Sequence, residues 1–224
     1  MTETVLAGST AEQVAAALRR EILDGAHLPG ERIRQEEVAE RFGTSRQPVR
    51  EALRMLESEG LAELEANKGA RVPHLSLDDL TLLYEMRERL EPLAIAESIP
   101  HLDAAAIAEL HGLQDRIAVD HSLTNFLALD REFHMLTYSG CTSEHLIGIV
   151  RRFWNTSQHY RRLFMQVSGP QRLWVVNAEH NLILDAVERR DPEDAERYLA
   201  GHIRRTRIEL TRHPEVFGPG SGRT

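Results

Sequence analysis

Apolar residues recur every three or four positions along most of the chain, which predicts a mainly α-helical protein. In the first such segment, Val14, Leu18 and Ile22 would share one buried face, with Thr10 as the N-cap. Two short helices separated by Gly43 and followed by a β-hairpin form the pattern of a winged helix-turn-helix. The N-terminal elements predicted in this way are helices over residues 11–24, 36–42 and 45–58, then strands over 61–65 and 70–73.

From residue 77 onwards the apolar periodicity is helical, and no alternating strand pattern interrupts it. Glycine, proline and histidine positions divide this part into six segments. The predicted helices cover residues 78–98, 103–120, 122–139, 143–167, 170–190 and 192–212. We therefore predict a winged helix-turn-helix domain over residues 1–74, an all-α six-helix bundle over 75–215, and a disordered tail over 216–224.

Composition narrows the class of protein. Hydrophobic residues make up 42% of the 224 positions, which is enough to bury a core, and the single cysteine, Cys141, excludes a disulfide framework or a thiolate zinc site. No apolar run is as long as a membrane span, and no signal-peptide core precedes the first helix. The sequence thus predicts a cytoplasmic protein that does not contact a membrane.

The charge distribution indicates a local DNA-binding surface rather than a basic domain. The chain carries 27 basic and 35 acidic residues, and residues 1–74 alone carry 10 basic and 13 acidic groups. Residues 41–54 reverse this balance, with four arginines against one glutamate. Among them, Arg46 and Arg50 lie four apart on one face of a helix, where their donors could reach base edges in the major groove. Such a pair is also common on an ordinary solvated helix, so the pair alone decides little.

A longer pattern around these arginines favours DNA binding. Its strings are Leu28-Pro29-Gly30-Glu31-Arg32, Val38-Ala39-Glu40-Arg41-Phe42-Gly43 and Ser45-Arg46-Gln47-Pro48-Val49-Arg50-Glu51-Ala52-Leu53. They resemble the DNA-binding domain of the GntR family of bacterial regulators, over roughly residues 10–73. Where that family often has Leu-Ser-Glu, this chain has Ile33-Arg34-Gln35, which adds a candidate phosphate contact. The DNA-contacting residues implied by the resemblance, with this addition, are Arg34, Arg46, Gln47, Arg50, and Lys68 and Gly69 in the wing.

Polar residues interrupt the apolar faces of three predicted C-terminal helices. Asp130 and His134 lie one turn apart on a face that would otherwise be buried, and a carboxylate and an imidazole at this spacing can present two metal ligands to one point. His180 and His202 interrupt two further faces. A single inward histidine is more often a hydrogen-bonded core residue, but three such interruptions would be costly without partners.

A second set of strings resembles the FCD effector domain of the FadR-type branch of GntR regulators, over about residues 77–212. These are Leu83-Tyr84-Glu85-Met86-Arg87, Leu90-Glu91-Pro92, Asp130-Arg131-Glu132-Phe133-His134, Glu179-His180 and Gly201-His202-Ile203. In the metal-containing members, one aspartate and three histidines hold a single divalent ion per chain. The matching positions here are Asp130, His134, His180 and His202. Nitrogen and oxygen donors without thiolate suit zinc first, with nickel or manganese as alternatives.

Coordination positions left open on such an ion could accept a small carboxylate effector, and nearby side chains could bind its far end. The resemblance favours Arg87, and Asn155 and His159 on the helix over 143–167 are further candidates. Arg161 lies on the same helix, where a solvated surface position is the simpler interpretation. The predicted function is a ligand-responsive repressor that binds a symmetric DNA operator as a homodimer and is released by a small organic acid.

Two other interpretations stay open at this point. A metal-dependent enzyme could use the same aspartate and histidines to activate water or polarise a substrate. The sequence contains no nucleophile elbow, P-loop or glycine-rich dinucleotide turn, so we predict that the protein is not an enzyme. Alternatively, the helical domain could serve dimerisation alone, in which case Asp130 and His134 would have no metal to bind.

Overall fold

The computed structural model describes residues 9–65, 69–120, 122–168 and 173–217. Two compact units make up this structure. The first holds the described part of residues 1–75 together with residues 151–159, and the second holds residues 76–150 and the described part of 160–224. The predicted domain ranges stay a prediction, and residues 218–224 of the predicted tail lie outside the described residues. None of the described helices has both the length and the apolar character needed to cross a bilayer.

The first unit is built from three helices and a small sheet, as the N-terminal pattern predicts. Its elements are α1 (Thr10–Leu23), β1 (Arg32–Ile33), α2 (Gln35–Arg41), α3 (Arg46–Ser58), β2 (Glu63–Glu65) and β3 (Gly69–Arg71). The N-cap of α1 is Ser9 and not Thr10. The Ser9 hydroxyl accepts from the backbone N–H of Glu12, and the Glu12 carboxylate accepts from the backbone N–H of Ser9, which forms a capping box.

The sheet has three antiparallel strands in the order β1-β3-β2. Ala70 of β3 pairs with Ile33 on one side and with Leu64 on the other. Strand β1 was not predicted, because two residues are too few to show an alternating pattern. Gly69, predicted to lie in the hairpin turn, is the first residue of β3.

A single apolar cluster holds the first unit together. Helices α1 and α3 pack against each other, and α2 packs on α3. The most completely buried members are Leu18, Val49, Ala52, Leu53, Leu56 and Ala70. The buried face of α3 fixes the rotation of this helix about its axis, and therefore determines which of its side chains reach solvent.

From residue 76 onwards the described residues form helices and no strand, which confirms the prediction of six C-terminal helices. They are α4 (Leu77–Ser98), α5 (Ala104–Val119), α6 (Leu123–Thr137), α7 (Glu144–Ser168), α8 (Leu173–Glu188) and α9 (Pro192–Thr211). Helix α9 packs against α4 and α8, and α5 packs against α6 and α8. This arrangement turns the faces of α4, α6, α8 and α9 that carry polar residues towards the interior.

Candidate DNA interface and histidine cluster

The turn between α2 and α3 orients the predicted recognition helix. The backbone N–H of Thr44 donates to the carbonyl of Ala39 at 2.9 Å, and α3 then begins at Arg46. Because Val49, Ala52, Leu53 and Leu56 are buried, the opposite face of α3 is directed to solvent. Helix α3 thus presents its first turn at the surface, as a helix that enters a DNA groove must.

The exposed face of α3 carries the residues predicted to read DNA. Arg46, Gln47 and Arg50 are all exposed. Arg46 forms an ion pair with Glu36 of α2 at 3.1 Å, and both side chains are more than half exposed. A pair this exposed is weak and exchanges readily. The structure therefore leaves the guanidinium groups accessible to a nucleic acid, while their contact with DNA stays a prediction.

The other residues predicted to contact DNA are Arg34, Lys68 and Gly69, and they lie in different surroundings. Arg34 is exposed at the N-cap position of α2 and pairs with Glu37 at 3.1 Å. Gly69 is buried at φ +96°, where an added Cβ would collide with the carbonyl oxygen of Ile33, so its place in the sheet already requires glycine. Lys68 lies outside the described residues.

The second unit brings together three of the predicted metal ligands. One ring nitrogen from each of His134, His180 and His202 lies within 4.8 Å of the others. The ring centroids form an almost equilateral triangle with sides of 5.1, 5.2 and 5.2 Å. All three rings are buried, and Phe133 stacks on His180 at 4.4 Å. Spacings of 46 and 22 residues along the chain thus converge on one point in the interior.

Hydrogen bonds orient two of the three imidazoles from outside the cluster. The Nδ1 atom of His180 lies 2.8 Å from the amide oxygen of Gln114, and the Nδ1 atom of His202 lies 2.7 Å from the Glu179 carboxylate. Both partners accept, so Nδ1 carries the proton and Nε2 keeps its lone pair. The Nε2 atom of His180 is buried and has no hydrogen-bond partner among the described residues. A histidine that binds a metal ion typically donates its Nδ1 proton to an acceptor behind the ring and directs an unprotonated Nε2 inward.

Asp130 completes the cluster on one side. Its Oδ1 atom lies 3.5 Å from Nε2 of His180 and 4.0 Å from Nε2 of His134. Its other oxygen, Oδ2, accepts a hydrogen bond from Arg161. The carboxylate is therefore shared between a buried guanidinium and the inward ring nitrogens, and the pairing of Asp130 and His134 expected from their spacing is present.

A second buried ion pair adjoins the cluster through Tyr138. The Nε atom of Arg87 donates to the Glu91 carboxylate at 2.5 Å, and the hydroxyl of Tyr138 donates to the same carboxylate at 2.8 Å. This hydroxyl also lies 3.4 Å from Nδ1 of His134. The predicted effector residue Arg87 is thus buried and connected to a ring of the histidine cluster by two intervening side chains.

Burial sets the protonation states of the cluster. It lowers the pKa of His180 to about 3 and that of His202 to about 4, and it lowers the pKa of His134 well below the ordinary value. Burial opposes ionisation of Asp130 as well, but the Arg161 guanidinium outweighs it and the pKa of Asp130 is lowered. Near neutral pH the site thus presents neutral imidazoles and an ionised carboxylate, the forms that bind metal ions.

These observations fit a divalent cation. Three imidazole nitrogens and one carboxylate oxygen, without sulfur, form a donor set that zinc, nickel and manganese accept. The cluster could therefore hold a metal ion at His134, His180 and His202, with Asp130 beside them. The identity of the ion, and binding itself, stay predictions.

The other two predicted effector residues belong to the first unit. Asn155 belongs to the part of α7 that groups with the first unit, and its amide donates to the backbone carbonyl of Glu59 at 2.8 Å. His159 is the last residue of the same segment and is half-buried. Their effector role stays a prediction.

The sequence analysis missed the side chains that support the cluster. Arg161, interpreted as a surface residue, is buried against Asp130, and Glu91, Gln114, Tyr138 and Glu179 were not assigned to the site. A polar residue on an otherwise apolar helical face is the signal that could have found them, since Gln114 and Glu91 interrupt such faces on α5 and α4.

Two family models together match most of the chain. Residues 10–72 match the bacterial regulatory proteins of the gntR family, and residues 82–205 match the FCD domain. The chain is a GntR-family regulator with an FCD domain. This confirms the resemblance on which the sequence interpretation relied, and the mainly α fold with an N-terminal winged helix-turn-helix. Helix-turn-helix domains of this family bind DNA operators.

Curated relatives named as HTH-type regulators agree with the GntR assignment, and a solved structure shares the fold. An HTH-type transcriptional regulator of Bacillus subtilis, YdhC, is 29% identical over 190 residues, which cover 83% of this chain and 84% of the relative. The HTH-type transcriptional repressor GlaR of Escherichia coli is 27% identical over 195 residues, 83% of this chain and 89% of the relative. The structure of E. coli McbR/YncC shares the fold, with a TM-score of 0.80, 23% identity and coverage of 92% of this chain and 99% of that one. The two curated relatives are named as transcription regulators, which confirms the prediction that this chain is not an enzyme.

Proposed function

We propose that this GntR-family regulator is a repressor whose binding to DNA responds to a small carboxylate, bound beside a divalent metal ion in its second unit. The observation that carries the proposal is the triangle of buried imidazoles with Asp130 and two buried arginine–carboxylate pairs around it. So many buried polar groups are costly to a purely structural core and are typical of a binding site.

In this proposal, α3 enters the major groove of a double-stranded operator. Arg46, Gln47 and Arg50 contact base edges there, while Arg34 contacts a phosphate. Lys68 and Gly69 would lie in the wing, near the minor groove. One recognition helix spans only a few base pairs, so a homodimer on a two-fold symmetric operator would double the sequence that is read. The acidic net charge of the chain supports a role for these specific contacts. Non-specific attraction to DNA would be weak, so binding would depend on the particular arginines that touch it.

Asp130, His134, His180 and His202 would hold the metal ion, with zinc as the first choice and nickel or manganese as alternatives. The bound ion would supply positive charge and open coordination positions for a carboxylate oxygen. Arg87 would bind the effector by charge-assisted hydrogen bonds, and it is pre-oriented for this by Glu91 and by the ring of Tyr84, 4.7 Å from the guanidinium carbon. Release from DNA is the expected response.

A titration with two preparations of the protein tests the proposal. A DNA duplex is first selected from a random-sequence pool with the wild-type protein. Mono- and dicarboxylates are then added to its complex with metal-loaded and metal-stripped protein, and operator affinity is followed by fluorescence anisotropy. A fall of about five- to 150-fold is expected with the metal-loaded protein, the usual range for allosteric coupling. The stripped protein should still bind the duplex but no longer respond.

Other results would each remove one part of the proposal. An equal response from both preparations removes the metal from effector binding and leaves a pocket built on Arg87 alone. No response to any carboxylate favours the alternative in which the helical domain only dimerises. Failure to select any duplex would contradict the DNA-reading role of α3.

A further inference from the structure

Three side chains of α7, all within the first unit, bind the C-terminal end of α3. Residues 152, 155 and 156 are three and four apart, so they lie on one helical face. The hydrogen bonds run from Arg152 Nη1 to the carbonyl oxygens of Glu57 (3.0 Å) and Ser58 (3.2 Å), from Asn155 Nδ2 to that of Glu59 (2.8 Å), and from Thr156 Oγ1 to that of Gly60 (3.1 Å). The Thr156 hydroxyl also lies 2.9 Å from the carbonyl oxygen of Arg152 in α7, so its one proton is shared between two acceptors. Donors on one face of a single helix therefore lie within hydrogen-bond distance of four consecutive carbonyls.

Two of these carbonyls lie in the last turn of α3, and the one at Glu57 also accepts from the backbone N–H of Gly60 at 3.0 Å. The last four carbonyls of an α-helix have no intrahelical N–H to accept from, and they carry the negative end of the helix dipole. Residues 57 and 58 belong to the last turn of α3, and 59 and 60 follow it directly. The positive charge of Arg152 is thus placed where the dipole favours a cation.

The packing at Gly60 is independent evidence that α7 approaches the end of α3 closely. Gly60 has φ +76°, and an added Cβ would lie 2.7 Å from Cγ of Arg152 and 2.8 Å from Oγ1 of Thr156. Any side chain at this position would force the two segments apart. The glycine therefore both ends α3 and makes room for the donors of α7.

We propose that Arg152, Asn155 and Thr156 are positioning residues for the recognition helix. They fix the C-terminal end of α3 and, through this rigid helix, the presentation of Arg46 and Arg50 to DNA. The proposal rests on the proposed DNA-reading role of α3. It assigns Asn155 to operator recognition rather than to effector binding.

The proposed effect depends on the rigidity of α3, because a shift at one end of a rigid helix also moves its other end. Helix α3 has 13 residues, so it is about 20 Å long at the usual rise per residue. Its apolar face fixes the rotation about its own axis, whereas the bonds at residues 57–60 resist tilting of its far end. Hydrogen bonds to base edges tolerate only a few tenths of an ångström, so a small tilt would cost specific contacts more than it costs attraction to phosphates.

The test compares specific and non-specific DNA affinity in variants of the full chain. Asn155→Asp keeps the shape of the side chain but sets a carboxylate against the Glu59 carbonyl, and Arg152→Ala removes two donors. Arg151→Ala is the matched control, because this exposed neighbour carries the same charge and makes no hydrogen bond to the described residues. Affinities are measured for the duplex selected with the wild-type protein and for a scrambled duplex of the same length.

We expect Asn155→Asp and Arg152→Ala to weaken binding to the selected duplex by about tenfold relative to Arg151→Ala, the usual effect of losing one or two hydrogen bonds. Affinity for the scrambled duplex should match that of the control. A merely destabilised protein would not change this ratio. Should the larger changes prevent folding, Thr156→Val and Thr156→Ser form a milder pair, in which only the valine, which lacks the hydroxyl, should lower the ratio.

Unchanged or increased affinity of these variants for the selected duplex would overturn the proposal. Arg46→Ala separates this outcome from failure of the proposed function. If Arg46→Ala loses affinity while the α7 variants do not, α3 reads DNA and the positioning role is wrong. If Arg46→Ala binds like the wild type, α3 is not the DNA-reading helix, and both proposals fail together.

Discussion

At the residue scale, the histidine cluster depends on one ring nitrogen from each of three helices. Removing a single imidazole by His134→Ala should lower metal content and abolish the stabilisation that a bound ion gives to the folded state. That stabilisation is about 3 kcal/mol when the free metal exceeds its dissociation constant a hundredfold. Elemental analysis, with thermal unfolding before and after chelation, measures both effects.

A histidine outside the cluster provides the control. His111 pairs with Glu188 at 2.6 Å on the protein surface, so His111→Ala should keep the metal content of the wild type. Full metal occupancy in His134→Ala would place the ion elsewhere.

Tyr84 offers a second test at this scale. Its ring lies against the Arg87 guanidinium, and its hydroxyl is buried without a hydrogen-bond partner among the described residues. An unsatisfied buried hydroxyl costs about 1–3 kcal/mol, so Tyr84→Phe should raise the free energy of unfolding by about 1 kcal/mol in ligand-free protein. Urea unfolding measures the change. A loss of stability instead would show that the hydroxyl has a partner in solution.

At the element scale, a glycine in the sheet and a glycine in a helix are expected to respond in opposite ways to replacement by alanine. At Gly69, φ is +96° and a Cβ would strike the Ile33 carbonyl, so Gly69→Ala should destabilise the first unit by about 1–3 kcal/mol. Gly112 lies inside α5 with nothing within 4 Å of the Cβ position, so Gly112→Ala should stabilise that helix by about 0.5–1 kcal/mol. Urea unfolding followed by circular dichroism compares the two. Equal effects would contradict the described register of β1 and β3.

The recognition helix gives the next prediction at this scale. Arg50 is exposed on α3, one turn after Arg46. Arg50→Ala should weaken binding to a selected operator by about 1–3 kcal/mol if the guanidinium makes a bidentate base contact. Arg20→Ala removes another exposed arginine, from α1, and should cost much less. Mobility-shift titrations measure the operator affinity of both variants. Equal losses of affinity would show that Arg50 contributes only positive charge and no specific base contact.

Features that depend on residues close together in the chain could be predicted from the sequence, whereas contacts between distant residues could not. The nine helices described and the pairing of Asp130 with His134 depend on local periodicity, which a single sequence shows directly. Strand β1 needs its partner β3 nearly 40 residues later, and Arg161 meets Asp130 across 31 residues. Neither contact leaves a local pattern. The partner of Asn155 is the backbone carbonyl of Glu59. Every residue has such a carbonyl, so the residue types give no sign of this contact.

At the scale of the whole molecule, the net charge of −8 opposes general attraction to DNA, which the arginines on the exposed face of α3 offset only locally. A single copy of this face would therefore bind weakly and gain little from the rest of the surface. In the proposed homodimer, two copies of this face would bind together, which would raise the affinity without a second DNA-contacting surface on each chain.

The last prediction follows from this arrangement. On a two-fold symmetric duplex obtained by selection, sedimentation should find two chains per DNA molecule. A duplex that keeps one half-site and scrambles the other should bind roughly 10²- to 10⁴-fold more weakly, because the second recognition helix then loses its base contacts while the dimer stays intact. Higher salt should weaken binding to both duplexes, since each retains phosphate contacts. One chain per duplex, or equal affinity for both, would mean that a single winged helix supplies the whole of the binding energy.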